Sequence, residues 1–152
     1  MRDHFIELFR YDRWANERLL EAVKSNGLED KRILELLSHV VSAQLIWLHR
    51  VEDLPTSPFP VWEIYKLGEL KSMYNESNLR WNDLLKSRKI NSLEEVIQYK
   101  NSKGREYEST LKEIITHLLN HGTHHRGQIM MLLRGIGIPP PPNDYIVFKR
   151  LT

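Results

Sequence analysis

The segment HLLNHGTHHRGQIMMLL, residues 117–133, holds four of the chain's seven histidines. A neutral imidazole offers one lone pair and is the commonest protein ligand for transition metals. His121 and His125 are four positions apart, so on a helix they project from one side and both rings can reach one ion. A helix advances about 100° per residue. Ile114, Leu118, His121, His125, Ile129 and Leu132 then share a stripe about 80° wide, which places the histidine pair in an apolar face. The pattern H-x-x-x-H is short, and two core histidines or an interface patch would satisfy it as well as a metal would. His117, one turn before His121 at the stripe's edge, reads as a support for a ligand. His124 lies farther round and reads as partly exposed. Gly127, at a mid-helix cost of about 1 kcal/mol against Ala, reads as permitting close helix contact or access to an ion.

Two histidines rarely complete a site, so a third is expected from another helix. Residues 30–53 contain His39 and His49. Their main apolar stripe runs through Ile33, Leu37, Val40, Leu48 and Val51. His39 falls on a second, mixed face with Leu36, Ala43, Ile46, Trp47 and Arg50, which could line a cleft. His49 belongs to neither set, so His39 is favoured.

These side chains need a scaffold, and four amphipathic segments can supply it. The first covers residues 3–25, where Phe5, Leu8, Phe9, Trp14, Leu19, Leu20 and Val23 recur at helical spacing and Asn26-Gly27 supplies a stop. The second covers 30–53 and ends before LPTSPFP, whose prolines preclude a regular helix. The third runs over 66–86. The fourth runs over 110–134, with Thr110 and Glu113 at capping-box spacing and Gly135 and Gly137 at its end. EEVIQYKNSKGREYEST, residues 94–110, reads as a β-hairpin around a polar turn. In the tail GIGIPPPPNDYIVFKRLT four prolines impose an extended path, and Tyr145–Phe148 should dock on the body. The expected fold is all-α: one domain over 1–152, a four-helix bundle with a small β-hairpin between its third and fourth helices.

Composition narrows the function. At 152 residues the chain can bury a core without disulfides. It has no cysteine, which excludes a thiolate ligand or cysteine nucleophile. Apolar residues make up 41% and charged residues 28%, as in an ordinary globular protein. The net charge of +2 is interspersed, without the basic stripe a nucleic-acid surface needs. No leader and no membrane span are apparent, so a cytoplasmic protein is expected.

The segments YDRWANERLL, LSHVVSAQLIWLHR and HLLNHGTHHRGQI resemble the three signature segments of the DinB/YfiT-like family, and GIGIPPPPNDYIVF resembles its closing segment. (The DNA polymerase that shares the DinB name is unrelated.) Order and spacing agree over nearly the whole chain. The resemblance implies a four-helix bundle, often a homodimer, with a divalent metal on three histidines near one mouth. Carried over by motif, these are His39, His121 and His125, with zinc or nickel as the expected ion. Tyr11, Trp14, Asn16, Trp47 and Arg50 also match and read as packing or site-wall positions. Gln44 stands where many relatives carry an acid, which weakens a base role there. His117 and Gln128 lie on the same side as His121, and at least one should orient a ligand.

Three neutral imidazoles leave a divalent ion with an open position, the pattern of catalytic rather than structural sites. The resemblance implies two chemistries on small-molecule substrates: metal-dependent hydrolysis, and transfer or isomerisation with a low-molecular-weight thiol as cosubstrate. With no acid evident beside the triad, thiol transfer is favoured. A non-enzymatic metal- or ligand-binding bundle is the rival, and no catalytic side chain is identified beyond the ligands.

Overall fold

The computed structural model describes residues 1–55, 57–87 and 93–152. These form helices α1 (Arg2–Ser25), α2 (Lys31–Val51) and α3 (Leu67–Lys86), strands β1 (Val96–Lys100) and β2 (Glu106–Thr110), and helices α4 (Leu111–Gly135) and α5 (Tyr145–Leu151). The protein is mostly helical, with one small antiparallel sheet.

Local chemistry sets the helix ends. The Asp30 side chain accepts a hydrogen bond from the Ile33 N–H and opens α2. Thr110 and Glu113 close a reciprocal capping box at the start of α4: the Glu113 N–H donates to Thr110 Oγ1 at 3.2 Å and the Thr110 N–H to Glu113 Oε2 at 2.7 Å. Just beyond α1 and α4 the chain turns through Gly27 and Gly137 at φ +59° and +80°, a conformation that favours glycine. The hairpin pairs Val96 with Thr110 and Lys100 with Glu106, so β2 runs directly into α4.

The long helices pack in a ring of contacts: α1 on α3, α3 on α2, α2 on α4 and α4 on α1. Phe9, Leu19, Ile33, Leu37, Leu45, Leu48, Trp81 and Leu118 are among the residues that fill the core. Aromatic side chains also pin the helices by polar tips. Trp81 stacks on Phe9 at 5.2 Å and donates to the Gln44 carbonyl, and the Tyr74 hydroxyl donates to the Leu37 carbonyl at 2.8 Å.

Helix α2 buries residues of both its faces, Ile33, Leu37, Val40 and Leu48 on one and Leu36 and His39 on the other. Much of the apolar surface of α2 is therefore covered within the chain.

The tail docks on the body as expected. Pro139–Pro142 are not helical, and residues from Tyr145 form a short helix that the sequence reading did not include. Seven residues are too few for periodicity to show in the sequence, and tertiary contacts make up for the marginal stability of so short a helix. Phe148 is buried, 5.9 Å from Tyr11 and 5.7 Å from Trp14. Asn143 fastens the crossing: its amide donates to the Ala15 carbonyl at 2.9 Å and its carbonyl accepts from the Tyr11 hydroxyl at 2.8 Å.

Candidate metal centre

Helix α4 presents His121 and His125 one turn apart, and α2 presents His39 opposite them. One nitrogen from each ring lies within 4.8 Å of the others. The ring centroids are 4.8 Å apart for His39 and His121, 4.8 Å for His39 and His125, and 4.5 Å for His121 and His125. His39 Nε2 and His121 Nε2 approach to 3.0 Å. Tetrahedral zinc with Zn–N bonds of about 2.0–2.1 Å holds its nitrogens about 3.3–3.4 Å apart. The cluster spans that value, so small ring rotations would seat an ion.

Hydrogen bonds on the far side of two rings fix which nitrogen is free. His39 Nδ1 lies 3.0 Å from the Val61 carbonyl oxygen, which can only accept. Nδ1 therefore carries the proton and Nε2 keeps its lone pair toward the cluster. His125 Nδ1 lies 2.7 Å from Gln128 Oε1, and the Gln128 amide nitrogen faces His124 Nε2 at 3.3 Å. In this orientation the amide accepts from His125 and donates to His124, and His125 Nε2 is again free.

His121 and His125 are held neutral. Burial first, and then the neighbouring His125 and His39, press His121 down to about 3. Burial likewise lowers His125, against an opposing contribution from Gln128. Neutral imidazole is the form that binds metal, so these two rings need not lose a proton at pH 7.

The other expected residues divide. Gln128 touches a cluster histidine. His117 is exposed and makes no hydrogen bond to the three; its ring lies 5.6 Å from His121 and 5.9 Å from Trp47. His124 is exposed, and His49 stands apart beside Phe59. Added to the set are Val61 and Trp62, whose indole stacks on His39 at 3.9 Å with 3° between the planes. They sit in a loop without periodicity, and no sequence pattern marks them. Gly127 has nothing within 4 Å of where a Cβ would stand, so it provides no close helix contact.

Next to His125 in sequence, Arg126 points the other way, into the core. It pairs with Asp12 of α1, and both side chains are almost wholly buried. Around them Asn16 Nδ2 and Gln44 Nε2 donate to Asp12 Oδ2 at 3.0 and 2.7 Å, Ser77 donates to Gln44 Oε1 at 2.7 Å, and Arg126 donates to Thr123 Oγ1 at 3.0 Å. This network ties all four long helices together. It also accounts for Gln44, whose amide serves Asp12 and not the histidines. Gly122 leaves room for the pair, since a Cβ there would fall 2.8 Å from Asp12 Oδ1 and 3.0 Å from Arg126 Nη1.

A sequence model described as the DinB family matches residues 1–152. The protein DinB of Bacillus subtilis (strain 168) is 25% identical over 169 aligned residues, covering 100% of this chain and 97% of that protein. YizA of the same organism, described as uncharacterized, is 22% identical over 134 residues, 88% of this chain and 83% of that one.

Proposed function

The chain belongs to the DinB family, and from that premise we propose a metal-dependent enzyme, one four-helix-bundle domain, that uses a low-molecular-weight thiol on a small electrophilic substrate. The observation that carries this reading is the make-up of the cluster: His39, His121 and His125, with no carboxylate among its members. Zinc and nickel suit an all-imidazole donor set. A divalent ion there would supply Lewis acidity and favour the deprotonated, nucleophilic form of a thiol at neutral pH.

The protein's own part is to hold and to shield. Val61 and Gln128 fix the ring orientations of His39 and His125. Trp62 covers one face of His39 and keeps water from it. Hydrolysis by general base would call for an acid at the cluster, and Gln44, at the position the resemblance marks for one, is engaged with Asp12. That favours thiol transfer over hydrolysis.

The test is metal content, followed by helicity and turnover of a model electrophile with a panel of thiols, before and after chelation. Thiol-dependent turnover lost on chelation with helicity retained supports the proposal. Retained helicity with no turnover in the loaded protein would leave a binding module, and lost helicity would indicate a structural metal.

A homodimer belongs to the same proposal. Leu79, Met131 and Ile136 are exposed apolar residues that such an interface could cover. Light scattering at micromolar concentration should give twice the 18.1 kDa chain mass; the monomer mass would remove the dimer.

A further inference from the structure

Beside the histidine cluster, α2, the loop after it and the hairpin enclose a cleft of about 1010 Å³. Val61, whose carbonyl accepts from His39, lies on its wall, so the cleft reaches the shoulder of the cluster. Arg50 lies on the same wall. Its guanidinium carbon sits 4.4 Å from the Trp47 ring centre and 5.2 Å from that of Tyr99, and those two rings meet edge to face at 4.7 Å. Trp47 in turn touches His117, and His117 touches His121. A continuous run of side chains thus joins the guanidinium to the triad.

Arg50 combines partial burial with the lack of a carboxylate partner among the described residues. Arg126 has Asp12 and Arg80 has Glu52 and Glu76. Arg50 is half-buried, and the ionisable groups that interact with it are Tyr99 and His117, neither of them a carboxylate. The cleft does contain acids, Asp53, Glu106 and Glu108. Glu106 is paired with Lys100 at 3.4 Å, and none of the three forms a salt bridge with Arg50 among the described residues. Holding a guanidinium half out of water without a counter-charge is unfavourable, and a bound anion relieves it. Both aromatic rings lie to one side of the guanidinium, and its N–H edge matches a carboxylate with two parallel hydrogen bonds.

We infer that Arg50 is an anchoring site for the carboxylate of a small organic acid, substrate or thiol cosubstrate, whose reactive end reaches the three-histidine centre. The direction of the reactive end rests on the metal reading above; the anchoring itself does not.

The probes are 3-mercaptopropionate and its uncharged methyl ester, titrated into the full-length protein as purified and again with added Zn²⁺. Nuclear magnetic resonance follows the Arg50 Nε–H and Trp47 indole N–H signals. The acid should shift both signals and bind on the order of tenfold more tightly than the ester, in both conditions. Arg50→Gln should abolish the preference without changing ester binding, and Arg50→Lys should restore part of it. Equal binding of acid and ester would overturn the proposal. So would a preference that survives Arg50→Gln, or one that is lost in Lys100→Gln instead. If the acid prefers Arg50 but Zn²⁺ tightens neither probe, the metal reading fails and the anchor stands. If Zn²⁺ tightens both probes equally and neither is preferred, the anchor fails and the metal reading stands.

Discussion

Two polar clusters share α4, and they are built on opposite principles. Asp12, Asn16, Gln44, Ser77 and Arg126 form a network in which charge meets charge, the Asn16 and Gln44 amides donate to Asp12 and the Ser77 hydroxyl donates to Gln44, away from water. His39, His121 and His125 crowd three like groups together, two of them only partly buried, with one nitrogen of each within 4.8 Å of the others. The first cluster pairs its charges within the chain, leaving Arg126 Nε without a partner among the described residues. The second has a geometry that could hold a metal. The difference teaches that buried polarity has two uses: the closed set fixes the rotation of α4, and the open set holds donors that an ion could use. The boundary between them is one peptide bond, between His125 and Arg126.

Breaking the closed set should have the largest effect. Asp12→Ala leaves Arg126 as a buried, unpaired cation, and urea unfolding should show a loss of about 3–5 kcal/mol. A loss under 1 kcal/mol would mean that water reaches Arg126 and that the network is not closed.

Breaking the open set should spare the fold and remove the ligand. His125→Ala should keep native helicity by circular dichroism and weaken metal binding by more than the 10–100-fold expected for Gln128→Ala, which removes a ring support only. Competition with a chelator measures both. Similar affinities for the two variants would remove His125 from the ligand set.

Two glycines on α4 sharpen the contrast. Gly122→Ala drives a methyl group into the Asp12–Arg126 pair and should destabilise by about 1–3 kcal/mol. Gly127→Ala meets nothing and should stabilise by up to about 1 kcal/mol through helix propensity. Opposite shifts in thermal midpoint are expected; shifts of the same sign would show that Gly122 has no special role.

Acid should act modestly, and through the open set. In metal-free protein, folded His121 takes up its proton near pH 3, whereas an unperturbed histidine does so near 6.5. Between those values the unfolded chain binds more protons, so stability falls as pH drops from 6.5 toward 3. Replacing His121 with Leu should flatten that part of the profile; an unchanged slope would assign it to other groups.

The open set was legible because its residues obey helical spacing: His121 and His125 by the i,i+4 rule, His39 by falling on the mixed face of α2. The closed set was not. Asp12 and Arg126 look like ordinary surface charges on amphipathic helices, and 114 positions separate them. Only packing reveals that both point inward. Val61 and Trp62 were hidden for a different reason, since a proline-rich loop has no period from which direction can be read. The four long helices and the hairpin followed from pattern and caps. The last helix did not, because its reason for existing is Tyr11 and Trp14, more than 130 residues upstream.

The crossing of Asn143 over α1 has a consequence in time. A ribosome delivers α1 well before Asn143, so the Asn143–Ala15 and Tyr11–Asn143 bonds close contacts that span 128 and 132 positions. Arg126, the partner of Asp12, emerges only shortly before. Until α4 is made the chain must carry α1 with its acid unmatched and its inner face uncovered, exposed to aggregation and to chaperones. Such long-range closures slow folding. The histidines of α4 meet His39 only after three long helices have been made, and a nascent fragment lacking α4 offers a metal one imidazole of the three.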